Sequence, residues 1–488
     1  MRLKQQESSD NNMSTKQPLT INNVPSNPTK RFFVSMLTRD IDLHDAILDL
    51  LDNCVDGAIR SRSKSHAEED SLKGFWAKIK FDPRRFTIED NCGGIPWEIA
   101  KQYAFCMGRP EGVRNEPGTI GVVGIGMKRA IFKMGRECHV HSNHKDDAFM
   151  VTIPSAWFDD DKNWGVFNAD REEPSGDFGT IIEISVLEQG TKDAFAAGSS
   201  FRETFPGIVA ESYSYLIEKG FSVEINGRSV KRKPIKLCFE NPEVPQKTGP
   251  LIRPYIYAGK IEGVDVFIAV GYRSRLLTQK EQDADAESTF AAKEAGWTVV
   301  CNDRVVLSND RSIKTGWGFG GVPNFHNQFS CIAGIVEFRS RDTARLPITT
   351  TKRGIDTSRD LYTLARQRMQ EGMKHFTRNT NRWKGFESDL KSRFDKVGFL
   401  DLRELKCLAP RIPFSSIRGN GVQKLFKPEL PKKKETDTKR RMCFTRELQE
   451  IEKVSQFLFD ESRAPEEVAA TCFDRFLEQA EKPSLTKS

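Results

Sequence analysis

Long hydrophobic runs are missing from this 488-residue chain. No stretch of eighteen apolar residues occurs, which excludes a membrane-spanning helix, and no membrane partner is expected. The N-terminus, MRLKQQESSDNNMSTKQ, has no apolar core behind its charges and so does not read as a signal peptide. Ten cysteines, at 54, 92, 106, 138, 238, 301, 331, 407, 443 and 472, include no CxxC pair. Neither a zinc ribbon nor a disulfide framework is therefore indicated. Unpaired thiols suit a reducing compartment, so a cytoplasmic protein is expected, or a nuclear one in a eukaryote. No internal repeat is visible, and charge of one sign is not in great excess. A net charge of +7 permits polyanion binding without demanding it.

The length leaves room for several domains. Residues 1–30 are polar and read as a disordered lead. Residues 31–195 alternate helical and strand patterns around three glycine clusters. Residues 200–357 are dominated by strand-like runs such as VDVFIAVGY and GWTVVC, and 358–426 turn helical. A basic linker, 427–442, contains PKKKETDTKRR; it reads as a solvated linker, a localisation signal or a phosphate contact. Residues 443–488 read as one last amphipathic helix and a tail.

The stretch LDLLDNCVDG crowds acids together. At 100° per residue, Asp45, Asp52, Asn53 and Asp56 all fall within about 60° of Asp49. Ile47, Leu51, Cys54 and Ala58 lie opposite, flanked by Leu50 and Val55. The pattern predicts a helix with one apolar face and one acidic face. Like charges four residues apart oppose helix formation, and aspartate is a poor interior helix former. The acidic face is either solvated or a row of short oxygen ligands for a cation or a bound water. Asp52 reads as a solvated neighbour.

Three glycine clusters follow in order. FTIEDNCGGIP reads as a strand ending at Asp90, then a turn through Gly93 and Gly94. It is either a hairpin turn or a carboxylate placed to accept from a base edge. GTIGVVGIGMKRAIFKMG sets Gly118, Gly121, Gly124 and Gly126 before a helix. Backbone amides at a helix start, with Lys128 near, suit phosphate. FCMGRPEGVRNEPG before it has the composition of a mobile lid. DFGTIIEISVL is a Gly-Thr opening a core strand. HVHSNH reads as an edge strand and turn in preference to a metal site.

In this order and spacing the four elements resemble the GHKL ATPases, the family of gyrase B, heat-shock chaperones, histidine kinases and MutL. The family's ExxxNxxDA resembles Asp49, Asn53 and Asp56; its DxGxG resembles Asp90, Cys92 and Gly94. Its GxxGxG matches Gly121, Gly124 and Gly126, and its late Gly-Thr resembles Gly179 and Thr180. The resemblance implies an α+β chain: a Bergerat-type α/β sandwich, then further domains. ATP and Mg²⁺ are the implied cofactors. Asn53 would hold the metal, with Asp56 in support. Asp90 would accept from the adenine amino group, assisted by Thr180. The loop Gly121, Val122, Val123, Gly124, Ile125, Gly126 and the helix start at Met127 and Lys128 would wrap the phosphates. Two departures stand out. Asp49 occupies the usual position of a catalytic glutamate and is one methylene shorter, so slow hydrolysis is expected. Cys92 replaces a glycine, and its position must avoid strongly positive φ.

The second region, with GWTVVCNDRVVL, IAGIVEFRS and ARLPITTTKRGID, resembles the ribosomal-S5-like transducer of the MORC, MutL and heat-shock-chaperone branch. There a loop lysine reaches the terminal phosphate, and Lys352 resembles it; a surface lysine in a threonine-rich turn is the plainer alternative. A histidine kinase is disfavoured, because His44 lies on no long helical hairpin. A MORC-like ATPase that dimerises on ATP and acts on DNA or a DNA-processing protein, in a prokaryotic defence setting, is what the resemblance implies. A chaperone-like clamp, or an ATP-binding module without hydrolysis, are the alternatives.

Overall fold

Alternation of apolar and polar side chains builds the first half of the molecule. The computed structural model describes residues 29–62, 71–106, 119–120, 124–161, 164–240, 250–288, 292–349, 352, 354–408, 415–417, 423–432, 442 and 444–481. The runs WAKIKF, FTIED, GRECHVHSN and GTIIEISVL form β1 (Trp76–Phe81), β2 (Phe86–Asp90), β3 (Gly135–Asn143) and β6 (Gly179–Leu187). Ile79, Ile88, Val140 and Ile184 are buried and their neighbours less so, the period of a sheet with one packed face. With β4 (Ala148–Ile153), β5 (Ala169–Glu172), β7 (Ser222–Ile225) and β8 (Arg228–Ser229), the sheet order is β5-β4-β3-β6-β2-β1-β7-β8. Its neighbours pair antiparallel except β1 with β7.

The helices packed on this sheet include α1 (Lys30–Arg39), α2 (Leu43–Ser61), α3 (Gly126–Met134) and α4 (Ser200–Ser212). Ile47, Leu51 and Val55 of α2, Ala130 and Ile131 of α3, and Phe205 and Val209 of α4 share one core with the sheet's inner face. HVHSNH is not an edge strand. It runs down β3, flanked by β4 and β6, because one strand face is wet and tolerates His139 and His141 within an inner strand.

The second sheet reads differently. VDVFIAVGY, GWTVVC and IAGIVEFR are near-continuous apolar runs and form β11 (Val264–Tyr272), β12 (Gly296–Cys301) and β14 (Ile332–Arg339), buried almost throughout. Such runs suit strands covered on both faces. With β10 (Tyr255–Ile261), β13 (Arg304–Asp310), β16 (Ser415–Ile417) and β17 (Gln423–Phe426), the order is β13-β12-β14-β11-β10-β17-β16. Met369, Met373 and Phe376 of α6 (Asp360–Arg382) cluster with Tyr255, Val270 and Trp297 of this sheet. Tyr215 of α5 (Ser214–Glu218) and Leu402 and Leu405 of α7 (Leu402–Leu408) cluster with Ile256, Phe267 and Ile335. A short ribbon pairs β9 (Leu237–Phe239) with β15 (Gly398–Leu400).

Three expected boundaries shift. Helix α4 and strand β7 belong with the first sheet, since Phe205, Val209, Val223 and Ile225 lie in its core. The 358–426 stretch is not purely helical: it supplies β16 and β17 to the second sheet, and α6 shares that sheet's core. The C-terminal stretch holds two helices, α8 (Leu448–Phe459) and α9 (Pro465–Glu481). Asp460 ends the first in the left-handed region at φ +56°, and Ser455 Oγ ties the turn by accepting from Arg463 N at 2.8 Å and donating to Glu461 O at 2.8 Å. Among the described residues, those up to 432 make one compact unit and those from 442 onward another. Among the described residues, no helix is long and apolar enough to cross a membrane. The lead 1–28, residues 107–118 of the expected lid, Gly121, Val122, Val123 and residues 433–441 of the linker lie outside the described residues.

Candidate functional site

A cavity of about 420 Å³ opens where the first sheet's inner face meets α2. Its lining includes Ile88 and Asp90 of β2, Thr180 and Ile182 of β6, and Asp49, Asn53 and Asp56 of α2. The start of α3 adds Gly126, Met127 and Lys128 after Gly124 and Ile125, and Gly94 lines the cavity as well. Lys352 enters it from the second-sheet side, with Thr343 and Leu346.

At the strand end, Asp90 and Thr180 are direct cross-strand partners. Asp90 Oδ1 accepts from Cys92 N at 2.8 Å and Thr180 N at 3.3 Å. Burial raises the Asp90 carboxyl above its ordinary value, and the Cys92 amide opposes that rise. Gly93 and Gly94 take φ of +91° and +70° and supply the turn, whereas Cys92 does not adopt positive φ. A side chain on Gly179 would collide with the Asp90 carbonyl, so the Gly-Thr pair lets β6 approach this corner closely.

At the other end, no side chain caps α3, which leaves backbone amides of its first turn for an anion. A Cβ on Gly126 would lie 3.3 Å from the Asp49 carboxylate, so glycine brings the helix start against α2. Lys128 is buried, and its ammonium donates to the carbonyls of Ala104, at 2.9 Å, and Gly124. It braces the glycine loop from behind.

The acidic helix departs from the expected two-faced pattern. Asp49, Asp52 and Asp56 are all buried, and Asn53 is the exposed member of the row. Buried carboxylates persist only when paired, and each is. Asp49 pairs with Arg129, and Lys352 Nζ stands 3.8 Å away. Asp56 Oδ1 accepts from Ile120 N at 2.5 Å, while Thr343 Oγ1 donates to Thr119 O at 2.7 Å, so residues 119–120 are held by α2 on one side and by the turn after β14 on the other. Asp52 is not a solvated neighbour: it is 1% exposed. Its Oδ1 accepts from Arg304 Nε at 2.9 Å and from the Tyr213 hydroxyl at 2.5 Å, and its Oδ2 from Lys352 Nζ at 3.0 Å. Asp45 is half-buried and pairs with His44 at 3.0 Å, and neither lines the cavity.

Neighbouring acids consequently titrate in opposite directions. Burial raises Asp49, and Lys352 and Arg129 offset that only in part. Burial also acts on Asp52, but Lys352, Arg304 and the Tyr213 hydroxyl overcome it and hold this carboxyl well below its ordinary value. Lys352 is raised: Asp52, Asp49 and Asp56 outweigh its burial. Its loop closes through an Ile348–Ile355 bridge, and Lys352 itself takes φ +55°, an uncommon value for a residue with a Cβ.

Arg129, Arg304 and Tyr213 are site residues that the sequence reading missed. Arg129 had a faint signal, because cations in a helix's first turn oppose its dipole and so need acceptors. For Arg304 and Tyr213 there was none, since their partner is 252 and 161 residues away.

No curated protein matches the chain. Residues 41–177, which hold α2, the Asp90 turn and the glycine loop, match the model of the family described as histidine kinase-, DNA gyrase B-, and HSP90-like ATPases.

Proposed function

We propose that this chain is a Mg²⁺-dependent, MORC-like ATPase whose slow ATP cycle closes and dimerises its N-terminal layer on DNA or a DNA-processing partner, in a defence setting. One observation carries the reading. Asp49 of α2, Lys352 from the second-sheet loop and the uncapped start of α3 converge on one cavity whose far corner holds Asp90 and Thr180.

In this reading Asp90 and Thr180 take the adenine edge, and the amides from Gly124 to Lys128 take the β and γ phosphates. Asp49 orients and deprotonates the attacking water. Lys352 reads the terminal phosphate, since an ammonium gains most from that charge and loses the gain on hydrolysis. Asn53 fits a metal, being an exposed amide that lines the cavity; it would hold Mg²⁺, which neutralises phosphate charge when bound.

The ion pair between Asp49 and Arg129 favours a second reading, an ATP-binding module without hydrolysis, because the guanidinium occupies a carboxylate oxygen that an attacking water would need. Single-turnover hydrolysis by wild type, Asp49→Glu and Asp49→Asn decides between the two. Activity in wild type that Asp49→Asn loses supports the ATPase; equal zero rates leave the binding module. DNA should accelerate the wild-type rate, and absence of DNA binding at low salt would remove the DNA partner.

A further inference from the structure

Asp52 stands apart from the rest of its row. Asp49, Asn53 and Asp56 line the cavity, and Asp52 does not. It lies where the two layers meet, and its two oxygens serve different cations of the second layer. Arg304 begins β13, just after a turn in which Asn302 and Asp303 both take positive φ. Its guanidinium lies over the Tyr213 ring at 4.4 Å and donates further to the carbonyls of Ser212, at 3.3 Å, and Val305, at 2.6 Å. With 1% exposure, Arg304 cannot leave Asp52 without stranding a buried charge. Lys352 is held differently. It reaches Asp52 Oδ2 from a loop, its side chain lines the cavity, and Asp49 is a second acceptor 3.8 Å away. A lysine ammonium is a point charge on a flexible stem and can exchange acceptors with little rearrangement.

We infer that Asp52 is a positioning residue that competes with a nucleoside triphosphate for Lys352: the ammonium exchanges between Asp52 Oδ2 and the terminal phosphate, while Arg304 stays clamped to Oδ1 and keeps the second sheet in register. The inference rests on the proposed nucleotide site. A diphosphate lacks the competing group and leaves the Lys352–Asp52 contact in place. The apparent affinity for a triphosphate therefore includes the loss of that contact, and the affinity for a diphosphate does not.

The test compares binding of a non-hydrolysable ATP analogue and of ADP, each with Mg²⁺, by calorimetry on the full chain. Asp52→Asn keeps an oxygen for Arg304 but weakens the hold on Lys352. It should raise the triphosphate-to-diphosphate affinity ratio by about tenfold, the scale of one charge-assisted hydrogen bond, with ADP affinity little changed. Tyr213→Phe keeps the ring under Arg304 and removes one donor from Asp52. The carboxylate then holds Lys352 more tightly, and the ratio should fall. Lys352→Met should give the same ratio in the wild-type and Asp52→Asn backgrounds. A merely structural Asp52 would weaken both ligands together and leave the ratio at the wild-type value in Asp52→Asn and Tyr213→Phe, which overturns the inference even if Asp52→Asn fails to fold, because Tyr213→Phe reports independently. Wild type that binds neither nucleotide removes the nucleotide site itself, a distinguishable outcome.

Discussion

The cavity and the seam between the two sheets are served by one helix and ask opposite things of it. On the cavity side, Asn53 is exposed and Asp49 is raised by burial. On the seam side, Asp52 is packed among Arg304, Tyr213 and Lys352 and is strongly ionised. Residues only a few positions apart thus divide into a side that lines the cavity and a side that joins the layers. Proximity in sequence says little about role; the direction in which a helix residue points says much more.

The seam should break most severely. Arg304→Ala leaves Asp52 and Tyr213 facing a buried void and should lower unfolding free energy by about 3–5 kcal/mol, read from urea midpoints. On the cavity side, Asn53→Ala should change the unfolding free energy by less than about 0.5 kcal/mol and yet abolish Mg²⁺-dependent nucleotide binding. Similar midpoints for the two variants would erase the distinction.

Catalysis should fail next. If Asp49 is the general base, Asp49→Asn should slow single-turnover hydrolysis by about 10²–10⁴-fold while ADP still binds. A rate within a few-fold of wild type would move the base elsewhere in the cavity.

Acid sharpens the contrast through its sign. Ionised Asp52 contributes stability that is fully present above its unfolded value of about pH 4 and is lost as pH falls through its lower folded value. Ionised Asp49 carries a burial penalty at neutral pH, relieved as pH falls through its raised folded value towards the unfolded one. Relative to wild type, Asp52→Asn should be less stable at neutral pH, with the gap closing in acid. Asp49→Asn should be at least as stable at neutral pH, its advantage vanishing at higher pH than the Asp52 gap, between the raised folded value of Asp49 and about pH 4. Parallel pH curves for the two variants would contradict the assignment.

The smallest effect belongs to the C-terminal unit. Its helix α8 carries an apolar stripe, as α2 does, but Phe457 is 80% exposed and Phe476 of α9 is 70% exposed. Phe457→Ser or Phe476→Ser should change stability by less than about 0.5 kcal/mol in thermal melts. A larger loss would mean that these rings are covered in solution.

Much of the fold was legible because its signals are local. Alternation marked β1, β2 and β6, continuous apolar runs marked β11, β12 and β14, and glycines marked the turn at Gly93–Gly94. The meeting of Asp90 and Thr180 at one corner was implied by the family resemblance, whereas the approach of Gly126 to Asp49 emerged only in the fold. The C-terminal break was harder: the turn near Asp460 has no glycine, and its bonds come from Ser455, Glu461 and Arg463. The second-sheet strands β16 and β17 are three and four residues long, too short for a period to register.

By itself, the sequence determined that α2 would be a helix with a row of acids, that a glycine loop and a Gly-Thr strand would follow, and that a lysine-bearing loop would come much later. Only tertiary structure decided which acid faces the cavity and which the seam. The reason is physical. A helical wheel places Asp52 and Asn53 about 100° apart, but whether each angle meets solvent, a ligand space or a buried arginine depends on what the rest of the chain packs there, and a carboxylate's charge state follows from that packing.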